Sequence, residues 1–132
     1  MIVGIGTDIV AVARIRRLAG APDTRFARRV LTAAELDEGA ALADFGAFAA
    51  RRFAAKEAAA KAFGTGIGRG LSFQHLRVGH DEVGAPQLQL EGEAQTLAVR
   101  RGILRCHLSI SDERDYAVAF VVLEGGSGGG VG

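Results

Sequence analysis

Lysine is nearly missing. The chain carries 16 basic residues, yet only Lys56 and Lys61 are lysines. Cysteine is scarcer still: Cys106 stands alone, which excludes an intrachain disulfide. Its thiol is expected to pack as a small apolar residue in a reducing compartment. Excess charge is absent too, with a formal net charge of +1. A general nucleic-acid binder needs a large surplus of Lys and Arg to displace counterions, so that class is set aside. No apolar stretch approaches the length of a bilayer span. The N-terminus has no basic region leading into an apolar run, so no signal peptide is expected and the cytoplasm is the expected location. Convincing internal repeats are missing. So are a His/Cys cluster with zinc-site spacing and a Gly-x-Ser-x-Gly nucleophile elbow.

What remains is a chain of 132 residues, 48% hydrophobic and 23% charged. That suits one folded domain. A chain this small buries a modest core, so an oligomer that buries more is in keeping. Both lysines lie in one stretch, Phe53-Ala54-Ala55-Lys56-Glu57-Ala58-Ala59-Ala60-Lys61, which reads as helix. The spacing predicts a long helix from about Phe45 to Phe63 with a stripe of core residues, stopped by Gly64. Glu57 and Lys61, four residues apart, share a face. A Gly-x-Gly-x-Gly-x-Gly loop from Gly64 to Gly70 follows. It is neither a dinucleotide fingerprint nor a Walker loop. Its backbone N–H groups could still approach a phosphate.

Upstream, Ile2, Val3 and Ile5 favour a strand. Gly4 and Gly6 within it suggest close approach by another backbone or a ligand. Asp8 falls where the strand should end, and local pattern favours a helix cap over a metal-proximal carboxylate. A helix over about Val10 to Ala19 and another after Asp23 or Thr24 carry six arginines between Arg14 and Arg29, against the single acid Asp23. A solvated face is the plain reading, and a docking face for an acidic partner the sharper one. Thr32-x-x-Glu35 fits a capping box opening a short acidic helix. Ser72 to His80 reads as a strand, paired in a hairpin with Gln87 to Glu91. A short helix over Glu93 to Arg101 follows. Leu104, Cys106, Leu108 and Ile110 then alternate as a core face against Arg105, His107, Ser109 and Ser111. Tyr116 to Leu123 is the last strand. Residues 125–132 form a Gly/Ser-rich tail expected to be disordered, leaving 1–124 as the single domain.

Singly, the polar groups have bland roles: a cap for Asp8, a surface ion pair for Glu57–Lys61, a half-buried strand histidine for His107. Together they are sharper. Two carboxylates from distant segments with a nearby lysine suit a magnesium ion that also holds phosphate oxygens. Such sites serve phosphoryl-type transfer.

Three segments carry a resemblance to the bacterial holo-acyl-carrier-protein synthases, the short class of 4′-phosphopantetheinyl transferases. They are Gly4-Ile5-Gly6-Thr7-Asp8-Ile9-Val10 with Arg14-Ile15, Arg29-Val30-Leu31-Thr32-x-x-Glu35-Leu36, and Arg52-Phe53-Ala54-Ala55-Lys56-Glu57-Ala58-Ala59-Ala60-Lys61 running on to Ile67. Leu71-Ser72-Phe73, Gly84-x-Pro86 and His107-Leu108-Ser109-Ile110-Ser111 complete it, in the right order over roughly Met1 to Glu124. The resemblance implies an α+β fold, a small antiparallel sheet packed with a long helix and shorter helices. It implies transfer of the phosphopantetheine arm of coenzyme A to a serine of apo acyl carrier protein in fatty acid biosynthesis, releasing adenosine 3′,5′-bisphosphate. Asp8 and Glu57 match the family's magnesium ligands, and Lys61 its active-site lysine. Glu57 or a metal-bound water is the implied base. Arg52, Phe53, Lys61, Gly64, Thr65, Gly66, Pro86, His107 and Ser109 fall in segments that line the coenzyme A site. Arg14, Arg17 and Arg25 fall where the family docks the acidic carrier protein. The implied assembly is a homotrimer with active sites at subunit interfaces. Asp112 stands where the family often has His, and the tail lies outside the pattern. The rival is a non-catalytic module that binds coenzyme A or an acidic protein. Lys56 has no firm role at this stage: it either helps bind the coenzyme or only packs its stem.

Overall fold

The computed structural model describes residues 1–126. The disorder expected of the tail falls on residues outside that range, save Gly125 and Gly126; Gly125 belongs to the last strand and donates its N–H to Met1 O. The architecture is the expected α+β one, with two antiparallel sheets and five α-helices. The larger sheet has the order β1-β5-β4, from β1 (Ile2–Ala11), β4 (Ile103–Asp112) and β5 (Tyr116–Gly125). The smaller pairs β2 (Leu76–His80) with β3 (Pro86–Leu90). The expected strand from Ser72 is shorter than read, because Ser72 caps a 3-10 turn at Phe73–His75 before β2 starts.

Around these lie α1 (Val12–Leu18), α2 (Arg25–Val30), α3 (Ala33–Ala40), α4 (Phe45–Phe63) and α5 (Gly92–Arg100). The capping box forms: Glu35 N–H donates to Thr32 Oγ1 at 3.3 Å, and Thr32 N–H to Glu35 Oε1 at 2.8 Å. Gly64, at φ 80°, ends α4 in the left-handed conformation that glycine adopts without a Cβ penalty. Helix α4 is more than an amphipathic surface helix. Only Ala47, Arg51, Glu57 and Lys61 escape full burial. Its eight buried alanines let the two sheets and the flanking helices crowd it from all sides.

Alternation along β1 turns Gly4, Gly6, Asp8 and Val10 toward α4. A Cβ on Gly4 would overlap Ala62 O, and one on Gly6 would overlap Ala58 O and sit 2.6 Å from Ala62 N. The glycines therefore mark a backbone-to-backbone contact between strand and helix. In β5, Ala117, Ala119, Val121 and Leu123 face the same core, while Tyr116, Val118, Phe120 and Val122 face away. The core face read for β4 is partly borne out. Cys106, Leu108 and Ile110 pack against the core, but Leu104 is exposed beyond a register shift between Ile103 and Arg105.

Candidate active site

The Gly4–Gly6 contact decides what faces Asp8. Strand and helix run close enough that the next inward side chain of β1 meets the polar edge of α4. Asp8 is not a helix cap; the N-cap of α1 is Ala11, and Asp8 sits inside β1 opposite Ala119. Nor do Glu57 and Lys61 form the i, i+4 pair. Lys61 Nζ instead donates to Asp8 Oδ1 at 3.1 Å and to Thr7 O at 3.0 Å. The strand carboxylate outcompetes the helical one because the lysine stem lies over Gly6, where no side chain blocks it.

Glu57 is half-buried beside this pair. Burial pushes its carboxyl above the ordinary range, and the Asp8 charge pushes it further; Lys61, Arg14 and Arg29 oppose the shift. The carboxylate lines a cavity of about 350 Å³ with Arg14, Arg29, Phe26, Phe53, Phe73 and Ile67. The phenylalanines form a chain, with Phe26–Phe53 centroids at 5.4 Å and Phe53–Phe73 at 5.8 Å. Arg29 lies over Phe73 at 5.9 Å. A cleft of about 580 Å³ adjoins it, sharing Phe26 and Arg29 and adding Leu18 and Arg25.

The structure thus gathers Asp8, Glu57, Lys61, Phe53 and Arg14, with Arg25 in the adjoining cleft. The loop from Gly64 joins them through Ile67; Gly66 has φ 67°, and Thr65 Oγ1 donates to Gly66 O. Other expected site residues lie elsewhere. Arg17 is exposed on α1. Pro86 opens β3, paired with His80 in the second sheet. His107 and Ser109 project from the face of the large sheet that points away from α4, where His107 Nε2 pairs with Glu124 Oε1 at 2.9 Å. Arg52, expected at the coenzyme, is buried instead: Nη1 donates to Val78 O at 2.7 Å and Nη2 to Glu38 Oε2 at 3.0 Å. Its helical position turns it inward, where its guanidinium is buried against a backbone carbonyl and the half-exposed Glu38 carboxylate. Sequence reasoning missed Phe26, Phe73, Arg29 and Ile67 as pocket walls. Arg29 carried a signal in the arginine run, and Ile67 and Phe73 lay in segments of the family resemblance without a role assigned; Phe26 carried none.

Among the described residues no group of three or more His, Cys, Asp or Glu could hold a metal. A hard cation that shares its shell with phosphates and waters needs fewer protein ligands, one or two carboxylates. Asp8 and Glu57 fit that case. Both are oxygen donors, and burial, then the Asp8 charge, disfavour an ionised Glu57 that a bound cation would stabilise.

A family model of the 4′-phosphopantetheinyl transferase superfamily matches residues 4–121. The chain belongs to this superfamily. A holo-[acyl-carrier-protein] synthase of Vibrio cholerae is 50% identical over 124 residues, 94% of this chain and 98% of the relative. Among solved structures, the holo-[acyl-carrier-protein] synthase of Neisseria meningitidis matches with a TM-score of 0.87 and 46% identity, over 94% of this chain and 99% of that one. The synthase of Bacillus anthracis, in complex with CoA (3′,5′-ADP), matches with a TM-score of 0.80 and 40% identity, over 95% and 98%. Membership of the superfamily makes the Asp8–Glu57–Lys61 cluster, already singled out by its geometry, the place to look for transfer chemistry.

Proposed function

We propose that this chain is a magnesium-dependent holo-acyl-carrier-protein synthase. It moves the 4′-phosphopantetheine arm of coenzyme A onto a serine of apo acyl carrier protein. The observation that carries this reading is the convergence of Asp8, Glu57 and Lys61 beside an aromatic, arginine-walled cavity. Synthases that match this chain over nearly its full length support it. They disfavour the rival of a non-catalytic binding module.

In the transfer, the serine oxygen bonds to the β-phosphorus of the coenzyme A pyrophosphate. The bond from that phosphorus to the bridging oxygen breaks, and adenosine 3′,5′-bisphosphate leaves with the electron pair. Magnesium, when bound, supplies charge neutralisation at the pyrophosphate oxygens. Asp8 and Glu57 would hold it. With two oxygens, Glu57 can ligate through one and accept the serine proton on the other. Lys61, which bonds Asp8 in the metal-free chain, would turn its ammonium to the pyrophosphate oxygens. Phe53 and the loop of Gly64, Thr65 and Gly66 border the coenzyme. Arg14, Arg17 and Arg25 offer positive charge to an acidic carrier protein, and the cleft beside Leu18 gives an apolar side chain a seat.

A homotrimer completes the site in this reading. The sheet face turned away from α4 exposes Ile5, Ile9, Tyr116 and Phe120, with Ile9 63% exposed. That is an apolar patch of the kind that marks an interface. His107 and Ser109 stand on the same face. In the trimer, His107 and Ser109 of one copy would serve a site shared with its neighbour. No described helix is long and apolar enough to cross a membrane. In this reading the enzyme works in the cytoplasm.

Incubation with coenzyme A, apo carrier protein and magnesium should release adenosine 3′,5′-bisphosphate, and EDTA should stop the release. Release without carrier protein, or undiminished release in EDTA, contradicts the assignment.

A further inference from the structure

The walls of the Glu57 cavity meet, behind the cavity, at one ammonium. Lys56 is fully buried. Its Nζ donates to Glu35 Oε1 at 2.6 Å, Val30 O at 2.7 Å and Phe73 O at 3.1 Å, using all the donors an ammonium has. Two of these contacts, and the lysine's own place in α4, lead to the cavity. Val30 follows Arg29 on α2, Phe73 is itself a wall, and Lys56 precedes Glu57 on α4. Glu35 extends the knot: it also accepts from Thr32 N–H and, at 2.8 Å, from Val78 N–H, while Arg52 lies 3.6 Å away.

Stability alone is a weak reason to keep such a group. Exchange of a buried ion pair for apolar side chains of similar volume is often neutral or favourable. The charge is also fully buried and so carries a desolvation cost. What the apolar exchange would lose is direction. Three directed bonds hold α2, the Phe73 turn and α4 at fixed separations, and those separations are the dimensions of the cavity.

We propose that Lys56, with Glu35, is a positioning residue for the transfer reaction. It sets the distance between the Glu57 carboxylate and the wall of Phe26, Arg29 and Phe73, and thereby the seat of the incoming carrier protein. This rests on the transferase reading above. Lys56 touches no substrate. Asp8, Lys61 and the glycine loop make no bond to it, so the coenzyme should bind without it.

The test is the double variant Lys56→Met/Glu35→Gln, which removes both buried charges together. Ile103→Ala, far from the cavity, serves as a stability control. Gln74→Ala is the gentler probe, because Gln74 Nε2 ties the turn to Arg28, Arg29 and Leu31 carbonyls of the α2 end. Melting temperature, coenzyme A affinity by calorimetry, and kcat/KM for carrier protein are measured for each. The expected loss in kcat/KM for carrier protein is about tenfold or more in the double variant and about threefold in Gln74→Ala. Coenzyme A affinity should stay within about twofold of wild type, and Ile103→Ala should keep its kcat/KM despite a lower melting temperature. Wild-type kcat/KM in the double variant overturns the proposal. So does a fall in coenzyme affinity that matches the fall in turnover. Should the double variant not fold, Gln74→Ala decides by the same two readouts. A wild-type protein that transfers nothing would instead refute the transferase reading itself.

Discussion

At the scale of single residues, charge placement explains most of the site. Glu57 carries a charge that burial and Asp8 both disfavour. Glu57→Gln should therefore leave the metal-free protein as stable as wild type, or more so by up to a few degrees, while turnover falls by about a hundredfold or more. Differential scanning calorimetry beside a kcat measurement checks both halves. A large loss of melting temperature would mean the carboxylate holds the fold together. Asp44 is the opposite case. Its side chain accepts from Ala47 N–H as the N-cap of α4 and pairs with Arg16. The Arg16 contact, then the Ala47 bond, hold its carboxyl below the ordinary range. Since the folded value is depressed, its contribution is complete above the unfolded value near about 3.9 and fades as pH falls through the folded one. Asp44→Ala should cost about 1 kcal/mol at neutral pH. The gap from wild type should narrow on acidification to about pH 2; a gap that widens contradicts the assignment.

At the scale of elements, the pairing of β1 with α4 is the decisive contact. Gly6→Ala would force a methyl into Ala58 O and Ala62 N. Overpacking costs about 1–3 kcal/mol where side chains can yield. Backbone cannot yield so easily, so a larger loss is expected, read as a fall of more than about 10 °C in melting temperature. An unchanged melting temperature would show that strand and helix are not in such contact. Much of this was legible in the sequence. The thinning by Gly4 and Gly6 announced a close approach, Thr32-x-x-Glu35 announced its capping box, and Gly64 announced the end of α4. The fate of the charged residues on α4 was not legible. An alanine-rich helix shows no clear polar face; the core stripe admitted Arg52 or Phe53, but periodicity could not tell that Lys56 also points inward, nor name the partners both charges meet on α2, α3 and β2. Asp8 looked like a cap because its strand runs on to Ala11, past the glycines that seemed to end it. The cavity walls Phe26 and Phe73 come from separate segments, and only tertiary packing brings them to Glu57.

At the scale of the whole molecule, one subunit holds only part of the expected site. Asp8, Glu57 and Lys61 lie on the α4 side of the large sheet, and His107 and Ser109 on the other. In the proposed trimer the exposed apolar sheet face would be buried between copies, and a neighbour would supply the missing part of the site. Phe120→Lys should dissociate the assembly, taking the mass seen by light scattering from that of a trimer to that of a monomer, with loss of transfer. An active monomer would show the site to be complete in one chain. The arginine-rich α1 and α2 are a separate surface. Arg25→Glu should raise KM for carrier protein by about tenfold or more with little change for coenzyme A; equal effects on both would remove these helices from docking. Most direct of all is the intact mass of apo acyl carrier protein after incubation with coenzyme A, magnesium and either wild-type protein or Glu57→Gln. The expected result is a gain equal to the phosphopantetheine arm with wild type and none with the variant over the same time; no gain with wild type, or an equal gain with both, would contradict the assignment of transfer to the Asp8–Glu57–Lys61 cluster.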